Sequence, residues 1–261
     1  MKELKLLGVL IFLIVAGCRL VEPDTEPPAV PVGLTSITGD REIYLCWYPN
    51  QEEDLAGYKV YRSLQPYGLY RLIAVVHSPY YVDEGLTNGV TYYYAVSAFD
   101  RAGNESDLTP EIVHDTPRPE GRGVILLDFR SYPSSSGFSF ALEEPVHYTS
   151  SSCDIYYEYD DDYGLHFMNV TDGTDIQDFG YTESLDEINW APESGWSGLG
   201  WVELIEGHSY IVWTRDNHFA KFRVTELGDG FVKFDWAYQV DPGNPELSAR
   251  LSSDNDGEVR E

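Results

Sequence analysis

Polar and apolar residues alternate with a period of two along much of the chain. Runs 43–47, 58–60 and 92–98 place their apolar side chains on one side, and turn-forming clusters such as Thr38-Gly39-Asp40 and Thr87-Asn88-Gly89 separate them. Alternation of this kind predicts half-buried β-strands, whereas an amphipathic helix repeats every 3.6 residues. The first half of the chain therefore predicts a sandwich of short antiparallel strands.

The same pattern returns after a proline-rich boundary at 117–121. Strand-like runs are 124–129, 137–142, 153–159 and 165–170, and three stronger ones, 210–215, 218–225 and 231–238, are separated by short turns and predict a meander. Ser184, with Glu187 three residues later, predicts a capped single helical turn. The fold class is thus all-β, a β-sandwich followed by a second antiparallel β-domain.

The N-terminus departs from this pattern. Lys2 and Lys5 precede an apolar run, 6–16, that ends just before Gly17-Cys18. The run is too short to span a bilayer, and together with the cysteine it resembles a bacterial lipoprotein signal. The resemblance implies that residues 1–17 are removed, that Cys18 is lipidated and that the protein meets a membrane through its lipid. The alternative is a cleaved signal with an incidental cysteine.

Composition and charge narrow the class of protein. Of 261 residues, 43% are hydrophobic and 14% aromatic, which suits a globular chain, and 44 acidic against 17 basic residues give a net charge of −27. Loss of Lys2, Lys5 and Glu3 with the signal leaves 43 acidic and 15 basic residues. A field of this sign repels phosphate backbones, so we predict no nucleic-acid partner.

Residues outside the two β-regions suit connecting segments. The proline-rich stretch 18–27 predicts an extended tether, and the polar, aperiodic stretch 247–261 predicts a disordered tail. Once Cys18 carries lipid, Cys46 and Cys153 remain, and since they fall in different β-regions we expect two separate thiols.

Residues 28–117 resemble a fibronectin type III domain. The resemblance is carried by segments 31–34, 43–47 with Trp47, 54–63, 92–100 and 102–106. It implies that Trp47 lies between the two sheets and that Tyr92 acts as the tyrosine corner, tying the end of a loop to a strand. No Arg-Gly-Asp loop is present, and the resemblance therefore implies a spacer rather than an integrin ligand.

Residues 121–246 resemble the HmuY-like family, whose founding members are haem-binding outer-membrane lipoproteins. Segments 177–181, 184–188, 207–214, 219–224 and 234–239 carry this resemblance. It implies a ligand-binding domain, and for haem it would require axial donors. By chemistry the candidates are His166, Met168, His208 and His218. The alternative for each is an ordinary surface or hydrogen-bonded side chain, and the cofactor prediction is none, with haem as the alternative.

Three tryptophans offer a different ligand surface. Trp190, Trp196 and Trp201 are interspersed with Gly195, Gly198 and Gly200. They would form an exposed platform for sugar rings, or they would fill the core under a long loop. We prefer the second interpretation, because large aromatic side chains are usually buried.

The sequence lacks the usual enzymatic motifs. It contains no Gly-x-Ser-x-Gly elbow, phosphate loop, zinc-spaced cysteine pair or His-Glu-x-x-His. Acidic runs at 160–162 and 172–175 do not have the spacing of a calcium loop. We predict no catalytic residue, no metal site and no enzymatic activity; a hydrolase would instead need two close carboxylates in a cleft, one with a raised pKa.

Together these patterns predict a non-catalytic lipoprotein of the bacterial cell envelope. A fibronectin type III spacer would present a ligand-binding β-domain, and Arg19 after the cysteine resembles sorting to the outer membrane. The alternatives are a haem-binding lipoprotein and a structural or assembly partner of another envelope protein. The partners predicted are the membrane, with an envelope protein, a glycan or haem as the ligand.

Overall fold

A computed structural model describes residues 23–111 and 113–248, so Cys18, Arg19 and the predicted signal lie outside the described residues. Strands dominate and divide into four antiparallel sheets, two before residue 117 and two after it. No helix among the described residues is long and apolar enough to cross a membrane.

The first unit is a seven-stranded sandwich. One sheet has the order β1-β2-β5 and the other β4-β3-β6-β7. The strands are β1 Thr35–Thr38, β2 Glu42–Cys46, β3 Leu55–Ser63, β4 Arg71–Val76, β5 Tyr80–Glu84, β6 Tyr92–Asp100 and β7 Val113–Asp115. The predicted alternation at 43–47 is confirmed. In β6 the predicted inward residues at 92, 94, 96 and 98 all belong to the core, but Ala95 and Ser97 between them are buried as well.

The core of this unit confirms two predicted roles. Trp47 is only 5% exposed and packs edge-on against Tyr58, with ring centroids 5.2 Å apart. The Tyr92 hydroxyl accepts a hydrogen bond from the Thr87 backbone N–H at 3.1 Å, which ties the loop before β6 to that strand. Burial of one such large side chain contributes roughly 1.5–3 kcal/mol.

The second unit is a sandwich of two five-stranded sheets, ordered β10-β9-β11-β12-β14 and β13-β15-β16-β17-β8. The strands are β8 Glu120–Leu127, β9 Gly137–Ser139, β10 Glu144–Val146, β11 Ile155–Asp160, β12 Leu165–Val170, β13 Asp175–Tyr181, β14 Trp201–Glu203, β15 His208–Trp213, β16 Phe219–Gly228 and β17 Phe231–Tyr238. Consecutive antiparallel pairing of β15, β16 and β17 confirms the predicted meander.

The start of the second unit and its one predicted helical turn can both be compared with the sequence. Strand β8 begins at Glu120, inside the expected linker, and Gly121 is required there because a Cβ would lie 2.5 Å from the Trp236 indole nitrogen. The Ser184–Glu187 capping box is present around the 3₁₀ turn Leu185–Glu187. Local hydrogen bonding of these residues favours such a turn.

A second, smaller core covers the outer face of the β13–β8 sheet. Ile188, Ala191, Ile211, Phe219 and Leu247 form it, with Trp196 packed against it. The sequence predicts a disordered tail from residue 247, but Leu247 is 1% exposed and its N–H donates to the Asn189 carbonyl at 2.9 Å. The segment 245–248 is thus a strap over the sheet, and the prediction is wrong for residues 247 and 248; residues 249–261 lie outside the described residues.

The two cysteines are separate, as predicted. Cys46 is exposed in the first unit and Cys153 is buried in the second, and neither forms a disulfide. Burial raises the pKa of the Cys153 thiol to about 11.

Candidate functional site

Three loops of the second unit converge at one end of the sandwich. They are the loop after β8, the β11–β12 turn and the β16–β17 turn, and the register pairing Leu127 with Phe231 brings the first and the last together. The chain enters this unit at the opposite end, where Glu120 pairs with Ala237. At about 3.3 Å per residue, the eight-residue β8 separates the two ends by roughly 26 Å.

Asp128 organises the loop after β8. Its backbone N–H donates to the Gly230 carbonyl at 3.0 Å, and its own carbonyl accepts from the Tyr132 N–H at 2.8 Å. Its carboxylate accepts from the Tyr159 backbone N–H at 3.0 Å. One residue therefore links all three elements and holds the loop in a fixed shape.

The other two loops are equally well defined. Gly230 has φ +75° and Gly164 φ +66°, backbone conformations that favour glycine. In the β11–β12 turn, the Asp160 carboxylate accepts from the N–H groups of Asp162 and Tyr163 at 3.1 and 3.2 Å. The acidic run 160–162 is thus a hairpin tip with internal hydrogen bonds.

A cleft of about 650 Å³ opens between these loops. Its walls combine aromatic rings with both signs of charge, and the lining residues are Leu127, Asp128, Arg130, Ser131, Tyr132, Tyr159, Asp161, Asp229, Gly230 and Phe231. Its volume falls in the usual range for small-molecule sites. This feature, which we call the distal cleft, is the candidate site.

The charged side chains of the distal cleft are held in place. The Arg130 guanidinium lies 3.4 Å from Asp128 and 4.0 Å from Glu158, and it donates to the Tyr159 carbonyl. The Tyr159 hydroxyl lies 3.5 Å from the Asp229 carboxylate. Burial and that carboxylate raise the pKa of the Tyr159 phenol, so it stays a neutral hydroxyl.

The matches to known proteins concern one part of the chain. No family model matches it. It is 34% identical over 110 residues to an amylopullulanase of Thermoanaerobacterium saccharolyticum, covering 41% of this chain and 8% of that protein. It is 41% identical over 129 residues to chitinase Chi52 of Paenibacillus xylanexedens, covering 46% of this chain and 24% of that protein. The chain thus matches less than a quarter of these relatives.

A solved structure covers the first unit almost completely. An Fn3-like protein from Clostridium thermocellum is 30% identical, covering 34% of this chain and 92% of its own, with a TM-score of 0.31. The buried Trp47, the Tyr92 corner and the sandwich of a three-stranded and a four-stranded sheet are the features expected of a fibronectin type III domain. The first unit is a fibronectin type III domain. The chain therefore consists of a fibronectin type III β-sandwich followed by a second β-domain, as the sequence predicts.

The fibronectin domain has a small acidic group at its N-terminal end. Ligand atoms of Asp24, Asp54 and Asp100 lie within 4.8 Å of one another. The Asp100 carboxylate already accepts from the N–H groups of Gly103 and Asn104 at 2.7 and 2.9 Å. These contacts make the group part of a turn that closes β6.

The four haem-donor candidates of the second domain lie in different surroundings. The His166 ring bonds the Tyr157 hydroxyl at 2.7 Å, and burial lowers its pKa. His208 lies 3.1 Å from Asp178, and His218 lies 3.2 Å from Asp216. Met168 has no exposed surface and belongs to the main core, so its sulfur is not accessible to a ligand.

These residues are not arranged as an axial pair. His208 begins β15, whereas His218 follows the end of that strand, and six strand residues span roughly 20 Å. His166 lies in β12, in the other sheet. His208 and His218 are therefore too far apart to bind one haem as an axial pair, and none of the four candidates lines the distal cleft.

The three candidate tryptophans each contact a different partner. Trp190 forms a bridge with Glu246, Trp201 packs edge-on against Phe167 at 5.0 Å, and Trp196 lies 6.4 Å from Phe219. Trp190 and Trp201 are 44% and 38% exposed. Trp196 fits the predicted filling of the core under a loop, and the three do not form one platform.

Sequence reasoning missed the residues of the distal cleft and two buried cations. Arg118 and Lys221 are 1% and 0% exposed, near the junction between the domains. Cleft residues come from three segments far apart in the chain, and no local motif connects them. For Arg118, the only signal is its position between Pro117 and Pro119.

The structure has carboxyls with a raised pKa, at Asp115, Glu120 and Asp154, but they lie elsewhere. Burial raises the pKa of Asp154 to about 6, and its Oδ2 accepts from the Phe140 N–H at 2.9 Å. Asp154 does not line the distal cleft. The hydrogen bond to the β9 end gives this carboxyl a structural partner.

Proposed function

We propose that this protein is a lipid-anchored, non-catalytic binding protein of the bacterial envelope. Its fibronectin type III domain is the spacer, and its second β-domain carries the ligand site. The anchor is Cys18, and Arg19 directs sorting to the outer membrane where the cell has one. The observation that carries the spacer role is the path of the chain through the fibronectin domain.

The chain enters and leaves the fibronectin domain at opposite ends. At the entry end, Asn104 donates to the Asp24 carbonyl at 3.2 Å, and Leu55 pairs with Asp100. At the exit end, Asp115 pairs with Tyr92, at the other end of β6. Nine residues of β6 separate these ends by roughly 30 Å.

The linker then continues directly into the second domain. The Pro117 carbonyl accepts from the Gly89 N–H at 2.8 Å, and the Arg118 N–H donates to the Gly39 carbonyl at 3.1 Å. Val240 of the second domain packs so closely on Gly89 that a Cβ there would lie 2.6 Å from it. These contacts favour an end-to-end pair of domains with little freedom at the joint.

The binding role rests on the second domain. Its β-sandwich, its HmuY-like segments and the distal cleft support a ligand-binding module, and the cleft lies at the end away from the tether. The named relatives include an amylopullulanase and a chitinase. We infer from those names only that this kind of fibronectin domain occurs in proteins directed at polysaccharides.

Small-angle X-ray scattering of the chain from residue 19 onward tests the spacer. A single compact body of this size would have a radius of gyration of about 17 Å. Two sandwiches with centres about 35 Å apart would give about 22 Å. A value near 17 Å would mean that the domains fold back on each other, and the spacer role would be wrong.

Mass spectrometry of the N-terminal peptide tests the anchor. Protein from a lipoprotein-processing bacterium should begin at Cys18 and carry acyl chains, and Cys18→Ser should abolish both the acylation and the membrane fractionation. An unmodified N-terminus in the native protein would contradict the anchor without affecting the spacer.

A further inference from the structure

We propose that the distal cleft binds a neutral saccharide chain, a proposal that rests on the second domain being a ligand-binding module. Tyr132 is 56% exposed at its rim, and the Tyr159 ring is fixed against His166 with centroids 5.0 Å apart. Phe231 adds a third aromatic side chain. The faces of aromatic rings carry a partial negative charge, and the weakly positive C–H faces of pyranose rings therefore pack well on them.

The polar groups of the cleft match sugar hydroxyls. Asp161 and Asp229 offer carboxylate acceptors, and Arg130 offers guanidinium donors on the same cleft. A sugar hydroxyl both donates and accepts, so it can bond to each of them. Apolar and polar groups are present together, as in most small-molecule sites.

Charge favours a neutral ligand. The hairpin tip Asp160-Asp161-Asp162 and Asp229 surround the cleft with carboxylates, in a protein of net charge −27. This field repels sulfated, phosphorylated or uronic-acid chains. A lysine-rich partner would pair with the carboxylates and would form cation–π contacts with the tyrosine faces, but Arg130 would repel it, so hexalysine is tested as the competing ligand.

The cleft is also built before any ligand arrives. The Asp128 hydrogen bonds hold the loop after β8 and link it to Gly230 of the β16–β17 turn, and the Asp160 carboxylate closes the β11–β12 turn through the N–H groups of Asp162 and Tyr163. A rigid site loses little conformational entropy on binding, and tyrosine has only two rotatable side-chain angles. A small number of contacts can therefore be enough to bind a hydroxyl-rich ligand.

The test is calorimetric titration of the chain from residue 19 onward, which retains every described residue. The neutral probes are maltohexaose, cellohexaose and the N-acetylated chitin hexasaccharide. An oligogalacturonate is the anionic control, and hexalysine is the basic control. We expect one neutral series to bind with a Kd below about 1 mM and the oligogalacturonate not to bind.

Substitutions at Tyr132 and Asp229 test whether the ligand binds in the distal cleft. Tyr132→Ala should weaken binding about tenfold or more, a loss equivalent to about 1.4 kcal/mol, whereas Tyr132→Phe should retain most of it because the ring remains. Asp229→Asn should weaken binding by removing a charged acceptor. The matched control is Tyr67→Ala, a 90% exposed tyrosine of the fibronectin domain, which should bind as the parent does.

Three outcomes would overturn the proposal. The first is that no neutral oligosaccharide binds at several millimolar, and the second is that hexalysine binds instead and loses affinity in Asp229→Asn. The third is saccharide binding that survives Tyr132→Ala but is lost in Trp213→Ala, at a 37% exposed tryptophan that stacks on Phe219 outside the cleft. That result would contradict this site and leave the binding role of the second domain intact. The scattering experiment tests the spacer independently.

Discussion

Removal of the Arg118 side chain should disrupt the joint between the domains. The guanidinium is 1% exposed and lies 3.3 Å from Asp186 and 3.7 Å from Glu120. Asp115 is 1% exposed nearby and is stabilised electrostatically by Arg118. In Arg118→Ala the buried Asp115 carboxyl loses this stabilisation, whereas Asp186 and Glu120 are 51% and 27% exposed, so water partly replaces their partner. The loss of about 3–5 kcal/mol that is typical of a fully buried pair is therefore an upper bound, and we expect about 1–3 kcal/mol.

The loss should depend on pH in a defined direction. Burial raises the pKa of Asp115, and the Thr38 hydroxyl and Arg118 oppose that shift, so Arg118→Ala should raise this pKa further. A carboxyl whose folded-state pKa lies above its unfolded value destabilises the protein at pH above the unfolded value, and this penalty shrinks as pH falls toward that value. The deficit should therefore not grow when the pH is lowered from about 7.5 to about 5.5.

Denaturant unfolding at both pH values, followed by circular dichroism and tryptophan fluorescence, measures the deficit. Trp47 reports on the fibronectin domain, and the other five tryptophans lie in the second domain. The control Arg101→Ala removes an exposed arginine and should change stability by less than about 0.5 kcal/mol. A deficit below about 1 kcal/mol at neutral pH, or one that grows as pH falls, would refute the reasoning.

Three further changes test other parts of the fold. Tyr92→Phe leaves the Thr87 N–H without its partner and should cost about 1–3 kcal/mol, measured by denaturant unfolding. Asp154 has a pKa of about 6, above the unfolded value, so its ionisation destabilises the fold as pH rises; Asp154→Asn should remove that decline and gain at most about 3 kcal/mol at pH 7.5, which thermal melts across pH 4–8 would show. Leu247→Ala should cost about 2–3 kcal/mol in the same melts, because the strap packs on the second domain; no change would mean that the strap does not contribute.

The sequence predicted the regular parts of the fold for a physical reason. Strands such as β6 and β15 bury alternate side chains or sit in a core, so their composition carries the pattern. Tyr92 and the Ser184–Glu187 capping box were also predictable, because each uses partners within five residues in the chain.

The remainder depends on contacts that no local pattern contains. Strands β9, β10 and β14 have three residues each, too few for a period to show. Leu247 lies in a polar stretch of sequence, yet it is buried against Ile188 and Ala191, about 60 residues earlier in the chain. The distal cleft likewise requires the sheet register that brings residues near 128, 160 and 230 together.

Two buried basic side chains, Arg118 and Lys221, connect the segments at the proximal end of the second domain. Lys221 donates to the carbonyls of Leu185 and Ile188 at 2.5 and 2.8 Å and to the Ser248 hydroxyl at 2.6 Å, and burial holds its pKa well below the usual range. It thereby connects the strap and the 3₁₀ turn to β16.

The same 3₁₀ turn supplies Asp186 to Arg118, whose backbone N–H bonds the fibronectin domain at Gly39. The linker, the turn and the strap thus share one network at the proximal end of the second domain. Because β8 runs from this network directly to the distal cleft, the orientation of the joint also sets the direction in which the cleft faces. In the spacer role that we propose, a flexible hinge would set only the distance of the cleft from the anchor, whereas a joint held by this network would also set the direction in which the cleft faces.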